Sequence, residues 1–410
     1  PARLMSPPSR GARLGRAGAK VGVPASRPAE AALPGLAILT CSYDGTAKLW
    51  CSDTRWCWRT FTGHGDSVMS AVFSADGSRV LTAAYNGSAK LWCTATAVCQ
   101  RTFEGQEGGL YTAVFSPDAS RILTASSEGV VRLWRVEDGA CEWLLRGSED
   151  CYVRSAVFSP NGAQVLTVSA DYTAKLWRSS PDGSDGTPSP PQLERSFTGH
   201  EGWVNTGVFS PDGELVLTAA ADKTARLWRA RTGRCLGKFC GHRHFVRSAV
   251  FSSDLAHVLT ASADWTAKLW RTGSGVCVRS FEGHEQWVNS AVFSPDGCWI
   301  VTSSRDNTAR LWCMASGACV RIFAGHTDFV ISASLAPASV AMASSEVSAP
   351  APRASTVEVK AKAGEKRARV VPSAGVHKAR RRAAPALIWR PRGARSSCGT
   401  FSSGASSTAS

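Results

Sequence analysis

Apolar and polar positions alternate along this chain in short runs, and the runs return in the same order. The fullest units open on Gly-His, continue with V-x-x-A-V-F up to a Ser-Pro-Asp-Gly turn, and then V-L-T-A up to an Asp-containing turn. They close with T-A-K-L-W and a last phrase C-x-R-x-F, as in Cys277, Arg279 and Phe281. Period-two alternation over five or six residues, bounded by Gly, Pro and Asp, predicts β-strands, so every unit predicts four of them. Residues 199 to 228, GHEGWVNTGVFSPDGELVLTAAADKTARLW, carry the first three in full. A small sheet with two apolar faces cannot cover itself. The units must stack, and stacking them radially leaves only short, protected strand edges.

The third strand ends in Leu-Trp seven times, at Trp50, Trp92, Trp134, Trp177, Trp228, Trp270 and Trp312, with spacings of 42, 42, 43, 51, 42 and 42. The long spacing comes from RSSPDGSDGTPSPPQ at residues 178 to 192, which reads as a loop between a third and a fourth strand. Its Ser180-Pro181, Thr187-Pro188 and Ser189-Pro190 steps suit either phosphate acceptance or a plain linker. The first unit begins at its second strand, Ala37 to Tyr43, and the last Gly-His, Gly325-His326, is followed by one lone first-strand phrase, FVISASLAP. Residues 329 to 336 are therefore expected to supply the innermost strand of the blade whose other strands lie within residues 37 to 62.

On these residues the chain resembles the WD40-repeat β-propeller family over residues 36 to 337. The resemblance implies an all-β fold: a seven-bladed propeller of four-stranded antiparallel blades, closed by overlap of the N- and C-terminal strands. It also implies a buried hydrogen-bond chain in each blade, from the Gly-His histidine through a second-strand hydroxyl to the third-strand Trp and the turn Asp. Here that chain maps onto His200, Thr218, Asp222 and Trp228; His242, Thr260, Asp264 and Trp270; and His284, Thr302, Asp306 and Trp312. The closing blade combines Thr40, Asp44 and Trp50 with His326. These residue types suit the task because indole N–H only donates, a hydroxyl donates and accepts, imidazole relays, and a carboxylate accepts.

Three blades depart from the pattern. The second has Asn86 for Asp, beside His64, Thr82 and Trp92; the third has Gln106 and Glu128 with Thr124 and Trp134; the fourth has Ser148 with Thr167, Asp171 and Trp177. Losing one member of a buried polar chain costs roughly 1–3 kcal/mol, so blades two to four are expected to be the softer half. A further departure is that Cys or Arg, never Asp, follows the Trp in all seven units.

Charge changes the picture only at the ends. The chain has 410 residues and a formal charge of +15. Residues 1 to 35 hold six basic against one acidic residue, residues 36 to 337 hold 28 against 28, and residues 338 to 410 hold 13 against three. The repeat body is electroneutral, and both tails, poor in large apolar residues, are expected to be disordered. The domain organisation is thus a basic segment 1–35, a propeller 36–337 and a basic tail 338–410. The chain opens on Pro1 rather than Met, which points to a start further upstream. No signal-peptide core or membrane-length apolar run appears, so a nuclear or cytoplasmic, non-secreted protein is expected. In the tail, ten residues separate Lys366 and Arg367 from the cluster of Lys378, Arg380, Arg381 and Arg382, a spacing that resembles a bipartite nuclear-import signal. Basic runs are equally ordinary solvated tails or nucleic-acid contacts.

The search for chemistry returns little. No nucleophile elbow, phosphate-cradling Gly loop, zinc-protease motif or CxxC pair is present, and five of the eight histidines occupy the repeat position. No enzyme, cofactor or metal site is expected. The fourth-strand cysteines Cys57, Cys99, Cys141, Cys235, Cys277 and Cys319 read as reduced, partly buried small hydrophobes.

The informative variation lies just before the first-strand Val, where the series runs Ser67, Gly109, Tyr152, Trp203, Phe245, Trp287, Phe329. Five consecutive blades carry a ring there, and nearby loop positions add Arg154, Tyr172, Lys223, Arg247, Trp265 and Arg305. Aromatic and Arg clusters build interface hot spots, although such rings can also serve as wedges between blades. The expected function is a non-catalytic interaction scaffold that docks proteins or peptides on this face as a subunit of a larger complex. The alternative is a nuclear nucleic-acid- or chromatin-associated factor with phosphate-binding tails.

Overall fold

The computed structural model describes residues 35–106, 108–147, 151–178 and 191–337. Among the described residues there are twenty-eight strands, numbered β1 to β28 in chain order, in seven four-stranded antiparallel sheets. The innermost strands are β4 (Val68–Phe73), β8 (Leu110–Phe115), β12 (Val153–Phe158), β16 (Val204–Phe209), β20 (Val246–Phe251), β24 (Val288–Phe293) and β28 (Val330–Leu335). Each packs against the next and β28 packs against β4, so the seven close a ring. The fold is the seven-bladed propeller that the family resemblance implied, built from the strands that the alternation predicts.

The closing blade joins the two ends of the body. Strand β28 pairs with β1 (Ala37–Ser42), followed by β2 (Ala47–Cys51) and β3 (Cys57–Phe61). Its register sets Ile38 against Leu335, Leu39 against Ser334 and Thr40 against Ala333. A last backbone bond runs from the Ala336 amide to the Ala37 carbonyl, 3.0 Å.

Burial explains why the strands read differently. Every residue of β1 is buried, and the corresponding V-L-T-A strands are buried from their second residue on. A strand covered on both faces becomes a continuous apolar run. The fourth strands face solvent along most of their length, as in β23 (Cys277–Phe281), where only Phe281 is fully buried. The core is divided into seven clusters between blades. Leu39, Leu49 and Phe61 of the closing blade meet Val80 and Trp92 of the second. On its other side, Ile38 and Trp50 pack with Val301, Leu311 and Phe323 of the seventh. Burying one such side chain contributes roughly 1.5–3 kcal/mol, so each blade depends on both neighbours. The Ser-Pro-Asp-Gly turns close themselves: the Ser210 hydroxyl donates to Asp212 and accepts from the Leu215 amide, while Gly213 takes the left-handed φ of +74°.

Candidate functional site

In the four blades with a complete residue set, the side chains form one continuous chain of hydrogen bonds. In the seventh, Trp312 Nε1 donates to Thr302 Oγ1 at 2.8 Å, His284 Nε2 lies 2.7 Å from the same hydroxyl, and His284 Nδ1 lies 2.6 Å from Asp306 Oδ2. The other Asp306 oxygen accepts from the Thr308 hydroxyl at 2.6 Å and from its amide at 3.0 Å. The accounting requires a proton on Nδ1 and an acceptor at Nε2, a tautomer assigned from these partners. The same contacts join His200, Thr218, Asp222 and Trp228, and also His242, Thr260, Asp264 and Trp270. In the closing blade His326 crosses from the far end of the body to Thr40 and Asp44, 2.8 Å each, and Trp50 donates to Thr40.

Burial pushes the carboxyls of Asp44, Asp222, Asp264 and Asp306 up. Hydrogen bonds from the threonine, the histidine and a backbone amide outweigh it, and all four are held below the ordinary carboxylate range. The histidine rings are locked edge-on against the indoles, as His284 is on Trp312 with centroids 6.1 Å apart. These imidazoles are buried and spent on structure.

The departing blades rebuild the chain in three different ways. In the second, His64 keeps Thr82 at 2.6 Å and turns Nδ1 to Ser88 at 3.2 Å, while Asn86 donates to the His64 carbonyl at 2.6 Å. With no carboxylate there, burial, and then the charge of Lys90, push the His64 imidazole down to about 4. In the third, the Thr124 hydroxyl donates to Gln106 Oε1 at 2.6 Å and Gln106 Nε2 donates to the Val130 carbonyl at 3.0 Å. In the fourth, Lys175 Nζ donates to Asp171 at 3.1 Å and to the Gly147 carbonyl at 3.1 Å. Ser148 lies outside the described residues. The sequence reading singled out the missing members but not Lys175 or Ser88 as replacements.

The histidine loops and Asp turns share one end of the propeller with the aromatic series. The carbonyl of each series residue accepts from the amide that follows the second strand of its blade: Tyr43 N to Phe329 O, Tyr85 N to Ser67 O, Arg305 N to Trp287 O. At the same end every innermost strand carries a β-bulge at its second residue. In β20, Val246 pairs with Ser262 and Ser248 with Ala261, and Arg247 is left over. Bulges re-aim side chains, and here they present Met69, Tyr111, Arg154, Asn205, Arg247, Asn289 and Ile331 at one end of the ring of inner strands. Arg154 and Arg247, read from sequence as loop neighbours, are thus strand residues, and their position is set by a backbone irregularity that alternation cannot show.

Around this mouth the rings form two groups. Arg154 lies between Tyr111 and Trp203, its guanidinium carbon 5.3 and 5.6 Å from the ring centroids. Tyr111 also meets Tyr152 at 6.4 Å and Tyr85 at 6.3 Å. Arg305 lies between Trp287 and Phe329, at 3.9 and 5.2 Å. Phe329 meets Tyr43 at 5.9 Å, and His244 bridges Phe245 and Trp287 at 4.3 and 5.7 Å. Burial, followed by the charges of Arg154 and Arg305, pulls the Arg247 guanidinium down to about 9. Tyr152, Phe245 and Trp265 are exposed, while Trp203, Trp287, Phe329 and the three arginines are half-buried.

Tyr43, Tyr85, Tyr111 and His244 escaped the sequence reading. Tyr85 fills the sector where the series has no ring: a Cβ on Gly109 would sit 2.5 Å from its Cδ2. Trp265 displays its ring from a backbone with φ of +74°, and Tyr172, Lys223 and Asn307 hold the same left-handed position in their blades. In the first three blades that position is Gly45, Gly87 and Gly129.

The fourth-strand cysteines sit differently from the sequence expectation. Cys99, Cys141, Cys235, Cys277 and Cys319 are exposed rather than partly buried, because the outermost strand has no neighbour beyond it; only Cys57 is half-buried. All are free thiols. Among the described residues no His, Cys, Asp and Glu cluster is arranged to hold a metal, and no helix is long and apolar enough to cross a membrane. The import-like residues Lys366, Arg367, Lys378, Arg380, Arg381 and Arg382, and the loop with the Ser-Pro and Thr-Pro steps, lie outside the described residues.

Six stretches, residues 55–93, 97–135, 139–178, 191–229, 233–271 and 275–313, match the family described as WD40: WD domain, G-beta repeat, and together cover more than half of the chain. Each begins at a fourth strand and ends at the third strand of the next blade. The seventh such unit would run from β27 (Cys319–Ala324) through β28 to β1 and β2, and the chain ends split it. The WD repeat-containing protein slr1409 of Synechocystis sp. is 50% identical over 46 residues, which is 11% of this chain and 14% of that relative. The match thus spans about a seventh of the relative's length. Six matched repeats on a closed ring of seven blades place the chain in the WD40-repeat family.

Proposed function

We propose that the protein is a non-catalytic interaction scaffold that docks partner proteins on the end of the propeller carrying the Gly-His loops and Asp turns. The observation that carries this reading is the mouth: rings from five consecutive blades, extended by Tyr43, Tyr85 and Tyr111, surround three arginines at the bulged ends of the inner strands or the adjoining turn. Aromatic and Arg side chains at the centre of a patch are the groups that dominate binding energy at interfaces. Showing Trp265 and Tyr172 from left-handed backbone costs free energy that a merely structural turn would avoid by using glycine, as the first three blades do.

Paired Trp203→Ala and Trp287→Ala substitutions are expected to release partners captured by the full chain. Retention of every captured protein by a folded double variant would remove the reading. The concentration of the whole net charge in the tails supports an import role for Lys366, Arg367, Lys378, Arg380, Arg381 and Arg382. Replacing these six with Gln is expected to shift a tagged chain from nucleus to cytosol, and an unchanged distribution would contradict it.

A further inference from the structure

Several arginines elsewhere on this propeller have acceptors for their guanidinium groups. Arg101 donates to the Asp138 and Glu137 carbonyls, Arg279 to the Ser316 and Ala315 carbonyls, and Arg121 and Arg178 to the carboxylates of Glu142 and Glu194. Among the described residues Arg154, Arg247 and Arg305 make no ion pair, and the Nε atoms of Arg154 and Arg305 are buried without an acceptor, as are those of Arg132, Arg226 and Arg310. What sets the mouth apart is that its three cations gather at one end of the inner strands, with Arg154 and Arg305 each held between two rings. Of the carboxylates close to the series in sequence, Asp66 is engaged by the Ser67 amide and Asp328 by the Phe329 amide, while Glu107, Glu149 and Asp150 lie outside the described residues. Asn205 and Asn289, at the same bulge position, spend their amides on the Val246 and Val330 carbonyls of the next blade.

Three like charges thus share one opening of a body whose basic and acidic residues balance. A guanidinium whose flat faces lie against aromatic rings keeps its N–H edge free, and that edge fits an oxyanion in a bidentate fork. The arginines are held apart in different sectors, Arg154 by Tyr111 and Trp203 and Arg305 by Trp287 and Phe329, so several separated anions suit them better than one compact dianion. The tails carry the same sign as the mouth, so charge complementarity favours a partner as the occupant.

We propose that the mouth binds an extended acidic segment of a partner protein, its Asp and Glu carboxylates seated on Arg154, Arg247 and Arg305 between the aromatic rings. This rests on the docking face argued above and adds the chemistry of its ligand.

The test uses the full chain and a short fluorescein-labelled oligoglutamate peptide, followed by anisotropy, with an oligoglutamine peptide as control. Because the basic tails also attract anions, two variants are compared: Arg154→Gln/Arg247→Gln/Arg305→Gln, and the six tail residues replaced by Gln. The mouth variant is expected to lose affinity by about tenfold or more, the tail variant by far less, with binding weakening as salt rises. Arg247→Lys, which keeps the charge without the fork, is expected to retain part of the affinity and guards against misfolding in the triple variant. Oligoglutamate binding that survives the mouth variant and disappears with the tail variant would overturn the proposal. So would a neutral peptide bearing one phosphoserine that bound more tightly than oligoglutamate. If oligoglutamate fails while partner capture still depends on Trp203 and Trp287, the acidic specificity falls and the docking face stands.

Discussion

Blades one, five, six and seven and blades two, three and four have the same strands and the same indole-to-threonine bond, but they differ in what lies beyond the threonine. The first group ends in a buried histidine on a carboxylate that three further donors satisfy. In the second group the end is an amide on a backbone carbonyl, a glutamine, or a lysine. Backbone geometry therefore tolerates several solutions, provided no polar group is left buried and alone. The electrostatics are not equivalent. A carboxylate held below its ordinary pKa ties its blade's stability to charge, whereas a neutral chain with a depressed histidine ties it to the absence of charge.

The largest expected difference follows from removing the histidine. His284→Ala takes the imidazole donor from a buried carboxylate that keeps its three other donors, and removes the Thr302 hydroxyl's partner; it is expected to cost about 3 kcal/mol. In the second blade His64→Ala removes only neutral contacts and is expected to cost about half as much. Denaturant unfolding of both variants checks this, and equal losses would mean that the carboxylate adds nothing.

Next in size is a pH effect. The folded His64 sits at about 4, while an unfolded histidine titrates near 6.5, so the unfolded chain takes up the proton first. Its contribution is whole above about pH 6.5 and drains away toward about pH 4, amounting to about 2 kcal/mol by about pH 5. His326 shifts in the same direction, because burial outweighs the support of Asp44. The depressed aspartates act in a lower window: their contribution is present above about pH 4 and falls only as pH drops toward their folded values. Thermal midpoints taken between about pH 7 and pH 5 should decline in the native chain and decline less in His64→Gln. Parallel curves would contradict this.

The smallest effect concerns the turn that separates blades four to seven from the first three. Trp265→Gly gives the left-handed backbone its preferred residue and is expected to raise stability by roughly 0.5 kcal/mol, since half of the ring is already in water. Partner docking should weaken at the same time. A destabilised variant would show that the ring packs rather than waits for a ligand.

Much of this molecule was legible in its sequence. Period-two alternation with Gly, Pro and Asp punctuation repeats often enough to give strand number and blade count, and the split unit gives the closure. The resemblance to the WD40 family, laid on the repeat positions, let the histidine, threonine, aspartate and tryptophan of a blade be named together. The replacements were not legible. Lysine occupies the Lys175 position in other blades and does other things there: Lys90 reaches Thr102 and Lys268 reaches Ser280. Its turn toward Asp171 depends on what stands at the histidine position, which is a contact in space rather than a pattern in sequence. The mouth was half legible for a similar reason. The ring series follows the repeat, but the bulges that turn Arg154 and Arg247 toward the mouth, and the fit of Tyr85 over Gly109, arise from backbone geometry.

Residue-resolved amide hydrogen exchange near neutral pH tests the comparison most directly. The account predicts slower exchange in the second and third strands of blades five to seven than in those of blades two to four, with the second blade loosening further on acidification toward about pH 5. Uniform protection around the ring, unchanged by that acidification, would contradict it.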